Sequence, residues 1–226
     1  MTSTDAPAVA LVAAAGSGTR LGASKVKALV EVRGRPLVAH AVASLAAGGV
    51  EAAVVTIPVG LDADFAAALG DASIPVTLVT GGAERQESVL RGLGRIDDDA
   101  IVLVHDAARP FVPAEVVASV IDAVRQGASA VTPVIPVVDS VRRVDESGSH
   151  VVDRSLLRAI QTPQGFDAAV LRHCHERAVA LGRVVTDDVS LCEAEGYAVH
   201  LVPGSRASFK ITDPFDLQVA EALQRT

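Results

Sequence analysis

Residues Leu11 to Gly22 read L-V-A-A-A-G-S-G-T-R-L-G, an apolar strand that runs into a glycine-rich turn and ends in a single arginine. Gly16 and Gly18 permit positive φ and carry no Cβ, so consecutive backbone N–H groups can converge on an anion while Arg20 adds a planar fork of donors. The same residues can also form a plain strand-to-helix turn. Two better-known phosphate loops fail on spacing. A P-loop ends in Gly-Lys-Ser/Thr, whereas the fifth residue after Gly16 is Leu21. A dinucleotide fingerprint wants a third glycine where Leu21 stands and an acidic residue closing the second strand, yet Ala52 to Ile57 runs into Pro58. Both departures argue against nicotinamide-dependent hydride transfer.

Outward from this turn, short apolar runs alternate with helical patterns. Strands are expected near Ala8 to Ala14, Ala52 to Ile57, Val76 to Thr80, Ala100 to Val104 and Ala128 to Val134, and helices near Pro36 to Ala47, Glu84 to Leu93 and Ala114 to Gln126. This βαβα order predicts an α/β fold: a single doubly wound, mostly parallel, Rossmann-like sheet, with ligands beyond the carboxyl ends of the strands. The chain of 226 residues fits one domain. Half its residues are hydrophobic but only 3% aromatic, so the core is Ala, Val and Leu, as suits parallel strands covered on both faces.

The alternation breaks after Pro136. Val137 to Val144 and His150 to Asp153 flank the turn-forming Asp145-Glu146-Ser147-Gly148 and are expected to form a protruding β-hairpin. A mostly polar hairpin has no core of its own, so 137–153 reads as a dimerisation arm. Helical pattern resumes around Asp167. A last helix is marked by Asp213 as N-cap, Pro214 at its first position and Asp216 in its first turn.

The net charge of −7 argues against a nucleic-acid partner, while leaving room for a few cations gathered around a small anion. No apolar run approaches the roughly 18 to 20 residues of a membrane helix, and Met1 to Ala8 lacks a basic leader, so a cytoplasmic location without membrane contact is expected. Cys174 and Cys192 show no ligand spacing, which argues against a structural metal or disulfide.

Val102 to Val112, V-L-V-H-D-A-A-R-P-F-V, is a buried strand that delivers Asp106 and Arg109 to its carboxyl end, where spacing alone would equally allow a local ion pair. With H-D-A-A-R-P-F complete, and with G-x-G-T-R-L followed by Lys27, the chain resembles the 2-C-methyl-D-erythritol 4-phosphate cytidylyltransferases of the non-mevalonate isoprenoid pathway. The resemblance continues through Gly81-Gly82 with Arg85 and Ser88-Val89, Val152-Asp153-Arg154, Gln161-Thr162-Pro163-Gln164, Thr186-Asp187-Asp188 and Phe209-Lys210-Ile211-Thr212. Thr186-Asp187-Asp188 can equally cap a helix. Val26 stands where proline is common in the family, and Ser140 where threonine is frequent; the serine keeps its hydroxyl donor.

The resemblance implies transfer of CMP from CTP to methylerythritol phosphate, with pyrophosphate leaving and no covalent intermediate. It implies that Arg20, Lys27, Arg154 and Lys210 are catalytic. Ala14, Ala15, Gly16, Gly18, Gly82, Ser88 and Asp106 would bind nucleotide, and Asp106, Arg109, Ser140, Arg154, Thr162, Thr186, Asp187 and Lys210 the second substrate. Mg²⁺ would be held mainly by the triphosphate rather than by protein ligands, and the arm would join a homodimer. Lys27 and Lys210 stand out from ordinary surface lysines because the chain has only three. The competing readings are a cytidylyltransferase for another polyol phosphate such as ribitol 5-phosphate, a sugar-1-phosphate nucleotidyltransferase, which would need neither H-D-A-A-R-P nor an arm, and a non-catalytic nucleotide-binding regulator.

Overall fold

The structure, a computed structural model, describes residues 5–16 and 26–223. In chain order its elements are β1 (Ala8–Ala13), β2 (Glu31–Val32), β3 (Arg35–Pro36), α1 (Leu37–Ala47), β4 (Ala52–Ile57), α2 (Asp62–Ala68), β5 (Val76–Thr80), α3 (Arg85–Leu93), β6 (Ile101–Asp106) and α4 (Ala114–Arg125). There follow β7 (Ala130–Pro136), β8 (Val141–Asp145), β9 (Gly148–Val152), β10 (Arg158–Ile160), β11 (Gln164–Asp167), α5 (Ala168–Ala180), α6 (Asp188–Ala194), β12 (Val199–Pro203) and α7 (Pro214–Leu223).

The main sheet has the order β10-β7-β11-β6-β1-β4-β5, with β12 also paired to β7. Pairings among β6, β1, β4 and β5, and between β7 and β12, are parallel; β11 and β10 run antiparallel to their neighbours. Side chains that alternate along β1 enter different cores. Val12 joins residues of α1 and α4 such as Val42 and Val120, while Leu11 joins Val89 of α3, Leu171 of α5 and Leu191 of α6. Helices thus cover both faces, and the central strands tolerate unbroken Ala and Val because neither side meets water.

From β1 the chain moves outward through β4 to β5, then crosses back to place β6 on the other flank of β1. The register sets Ala13 beside Asp106. That reversal opens a crevice beyond the carboxyl ends of β1 and β6, so Ala14 to Gly16 and the H-D-A-A-R segment leave the sheet side by side.

The arm is shorter than its sequence suggests. β8 starts at Val141 rather than Val137, and in the stretch before it Arg154 donates to the Val138 carbonyl. β9 starts at Gly148, since Asp145 pairs with Gly148 around a two-residue loop. Among the described residues the two strands pair only with each other, and Val144 and Val151 stand largely exposed. Among the described residues no helix is long and apolar enough to cross a membrane.

Candidate active site

A cavity of about 360 Å³ occupies the crevice. Its lining comes from four places: Ala13 to Gly16 after β1, Lys27 and Ala28 in a short 3-10 turn, Gly82 to Ser88 between β5 and α3, and Asp106 to Ala108 after β6, with Lys210 and Thr212 closing the rim.

The β5–α3 loop owes its path to glycine and to α3's first turns. A Cβ on Gly81 would lie 2.5 Å from the Ala15 Cβ and 2.8 Å from Ser88 Oγ, so only glycine lets this loop pack against the turn after β1. Ser88 Oγ accepts from Gly82 N–H at 3.0 Å and donates to the Glu84 carbonyl at 3.0 Å. Glu87 accepts from Ala83 N–H at 2.8 Å, and Arg91 donates to the Gly81 carbonyl at 2.7 Å. A loop so fully bonded to its own helix is preorganised before ligand arrives.

Asp106 is the electrostatic centre. Its Oδ2 lies 2.8 Å from Lys210 Nζ and 4.0 Å from Arg109 Nε, and its Oδ1 lies 3.5 Å from Arg85 Nε. Burial opposes its ionisation, but Arg85, Lys210 and Arg109 outweigh that and hold the carboxyl well below the usual range. Arg85 also reaches inward, its Nη1 2.7 Å from Asp188 Oδ2, and the two carboxylates raise its pKa against the burial that opposes them.

Behind Asp106 the hydrogen bonds run in one direction. The Arg109 carbonyl can only accept, so His105 Nε2, 2.9 Å away, carries the proton. Burial pushes the His105 pKa down to about 4, which leaves the ring neutral with Nδ1 as acceptor. Thr162 Oγ1, 3.0 Å from that nitrogen, therefore donates to it and accepts from Asp106 N–H at 3.1 Å. Both ends of the segment from Asp106 to Arg109 are thus pinned by two buried side chains.

The segment carrying Lys210 is tied down from two sides. Gln161 pairs with both backbone groups of Ser205, at 2.8 and 3.0 Å, and Arg109 Nη1 donates to the Ser208 carbonyl at 2.7 Å. Asp216 Oδ2 accepts from the Thr212 N–H and hydroxyl, each at 2.6 Å, while Asp213 caps α7 as its sequence predicts.

Of the residues singled out in the sequence, Ala14, Ala15, Gly16, Lys27, Gly82, Ser88, Asp106 and Lys210 meet in the cavity lining. Gly18 and Arg20 lie outside the described residues. Arg109 and Thr162 stand behind the lining as supports, the Thr162 hydroxyl engaged within the fold. Ser140 and Arg154 sit on the exposed arm and Thr186 on an exposed stretch before α6. Asp187 caps that helix, accepting from Ser190 N–H at 3.0 Å, so the capping alternative is realised. The sequence reading passed over His105, Gln161 and Gln164 as side chains with work of their own, along with Asp188. One signal for Asp188 was present: it stands four residues before Cys192, on the face of α6 that turns inward.

Known proteins match this chain over nearly its whole length. The family model of 2-C-methyl-D-erythritol 4-phosphate cytidylyltransferase matches residues 8–226. The enzyme of that name from Saccharopolyspora erythraea is 47% identical over 222 residues, covering 95% of this chain and 98% of the relative. That from Nocardia farcinica is 44% identical over 221 residues, covering 97% and 94% respectively. Among solved structures, the 2-C-methyl-D-erythritol 4-phosphate cytidylyltransferase of Thermus thermophilus is 37% identical with a TM-score of 0.81, covering 97% of this chain and 100% of that one.

Proposed function

The chain belongs to the 2-C-methyl-D-erythritol 4-phosphate cytidylyltransferase family, and we propose that the cavity beyond β1 and β6 is where it joins its two substrates. The reaction is transfer of CMP from CTP to 2-C-methyl-D-erythritol 4-phosphate in isoprenoid precursor synthesis. A phosphate oxygen of methylerythritol phosphate attacks the α-phosphorus of CTP, the bond to the bridging oxygen breaks, and pyrophosphate leaves. Two anions must approach each other, so the chain's task is to hold them in line and to offset charge on both sides.

The observation that supports this reading is the Ala13–Asp106 register, by which the residues that follow β1 and the Asp106 carboxylate meet at one strand junction. The backbone of Ala14, Ala15, Gly16 and Gly18 cradles the triphosphate, with Arg20 and Lys27 as its cations. Gly82 and Ser88 bound the pyrimidine end. Lys210 holds the reacting phosphates. Asp106, with Arg109 behind it, addresses the hydroxyls of the polyol, and Thr162 acts by fixing the Asp106 backbone.

A divalent cation such as Mg²⁺, carried mainly by the triphosphate, would neutralise charge on the leaving pyrophosphate. Asp106 is already surrounded by three cations, and among the described residues no group of three or more His, Cys, Asp or Glu side chains could hold a metal. The arrangement fits an ion carried by the triphosphate and water rather than by a protein cage.

The arm completes the second site. Its exposed Val144 and Val151 call for a partner, and a second copy of the chain would bring Ser140 and Arg154 to the polyol phosphate, which Thr186 and Asp187 would approach from the side of Asp106 and Arg109. The whole chain acts as one domain in the cytoplasm. Incubation with each of the four NTPs, Mg²⁺ and a panel of polyol phosphates tests the assignment: pyrophosphate release is expected with CTP and methylerythritol phosphate. Preferred release with ribitol 5-phosphate, or none with any pair, would overturn it.

A further inference from the structure

Five side chains form a line from the cavity into the core between α5 and α6. Lys210 Nζ is 2.8 Å from Asp106 Oδ2, Asp106 Oδ1 is 3.5 Å from Arg85 Nε, Arg85 Nη1 is 2.7 Å from Asp188 Oδ2, and Asp188 Oδ1 is 3.1 Å from His175 Nε2. The last two have no part in the roles above. The Asp188 side chain is 2% exposed and that of His175 is wholly buried, so neither reaches a ligand in the cavity.

Removing a carboxylate from water costs several kcal/mol, and an apolar side chain of similar size would fill the same space without that cost. The partners of Asp188 show what the charge does there. An ionised carboxylate only accepts, so His175 Nε2 donates to Oδ1 and leaves Oδ2 for Arg85. The main chain is fixed separately, Gln164 Oε1 accepting from Asp188 N–H at 3.1 Å and Val189 N–H at 3.3 Å. Burial would raise the Asp188 pKa, but Arg85 and His175 reverse that and keep it below its ordinary value. Arg85 itself, about a third exposed, lies between two carboxylates and makes its shorter contact with the inner one.

We propose that Asp188 is a positioning residue for the transfer reaction. Gripping Arg85 from the core, it keeps that guanidinium against Oδ1 of Asp106 at the cavity wall, leaving Oδ2 to Lys210. Without the grip, Arg85 swings outward to compete with Lys210 for Asp106 or for a substrate phosphate. This inference rests on reading the cavity as the transfer site.

The test is a double-mutant cycle on the full-length protein with Arg85→Gln, Asp188→Asn and the pair. Pyrophosphate release by the unmodified protein is measured first: its absence would fail the reaction assignment, whereas its presence leaves the cycle to judge Asp188. Each single variant is expected to lower kcat about tenfold or more while the KM for CTP stays within about threefold, and the pair should be no slower than the worse single. A merely structural Asp188 would lower the melting temperature and leave kcat per folded molecule unchanged. Either single variant with unmodified kcat, or a pair whose loss is the product of the two, would overturn the proposal. Should Asp188→Asn alone fail to fold, the pair, which removes both charges, is compared with Arg85→Gln: equal kcat supports the grip and a further loss refutes it.

Discussion

Lys210 Nζ rests 2.8 Å from Asp106 Oδ2, so the ammonium assigned to the reacting phosphates already holds an anion of the protein's own. Asp106→Asn removes that anion and turns one of the two carboxylate oxygens that could accept from a polyol hydroxyl into a donor amide. A hydrogen bond to a charged group contributes about 1.5 to 3 kcal/mol, so the KM for methylerythritol phosphate should rise roughly tenfold to a hundredfold. CTP binding, followed by calorimetry, should weaken by far less. The reverse pattern would move Asp106 to the nucleotide side.

Lys27→Ala and Arg20→Ala should each cut turnover by about two to three orders of magnitude, since losing one preorganised donor at a developing charge costs roughly 3 to 4 kcal/mol. Thermal melts should be little changed. Near-normal turnover in either variant would remove that residue from the catalytic set.

His105 gives a stability signature in mild acid. Burial holds its pKa at about 4, whereas an unfolded chain binds that proton near 6.5. Stability from this residue is therefore fully present above the unfolded value and is lost as pH falls towards 4, by roughly 3 kcal/mol in all. The carboxylates Asp106 and Asp188, held below their ordinary range, give a separate loss only below about pH 4. Urea unfolding from pH 7.5 to 4 should show the first slope, and His105→Gln should flatten it. An unchanged slope would mean that another group takes up the proton.

Mixing two inactive variants tests the arm. If Arg154 serves the neighbouring copy, subunit exchange between Lys27→Ala and Arg154→Ala gives heterodimers in which one site has both residues, and activity returns. If every site is built within one chain, mixing restores nothing.

Apolar periodicity made the central strands and the covering helices legible, with ends displaced by a residue or two: α1 begins at Leu37 with Pro36 as its cap, and α3 at Arg85 with Glu84 as its cap. β11 escaped because Q-G-F-D has one large apolar residue in four, and Gly165 is there since a Cβ would meet Val120 Cγ1 at 2.4 Å. β10, R-A-I, is exposed throughout and has no buried face to announce it. In the site, residues that face the cavity were marked by motif, while the supports were hidden. Nothing in the string Q-T-P-Q says that Gln161 ties down Ser205, Thr162 the strand tip at Asp106, and Gln164 the start of α6. Those are tertiary facts, fixed by which strands become neighbours.

The register that sets Ala13 beside Asp106 also bears on how the chain assembles. β1 pairs with β4 on one edge and with the more distant β6 on the other, and Lys210, which follows β12 in the chain, meets Asp106 at the end of β6. Parallel pairing between such distant segments must meet the entropy of closing long loops before any contact offsets it, so folding of this topology is slow. The cation cluster depends on contacts of this distant kind. A half-folded chain has an unpaired β1 edge and a carboxylate without its lysine, which leaves it open to aggregation and unable to turn over substrate.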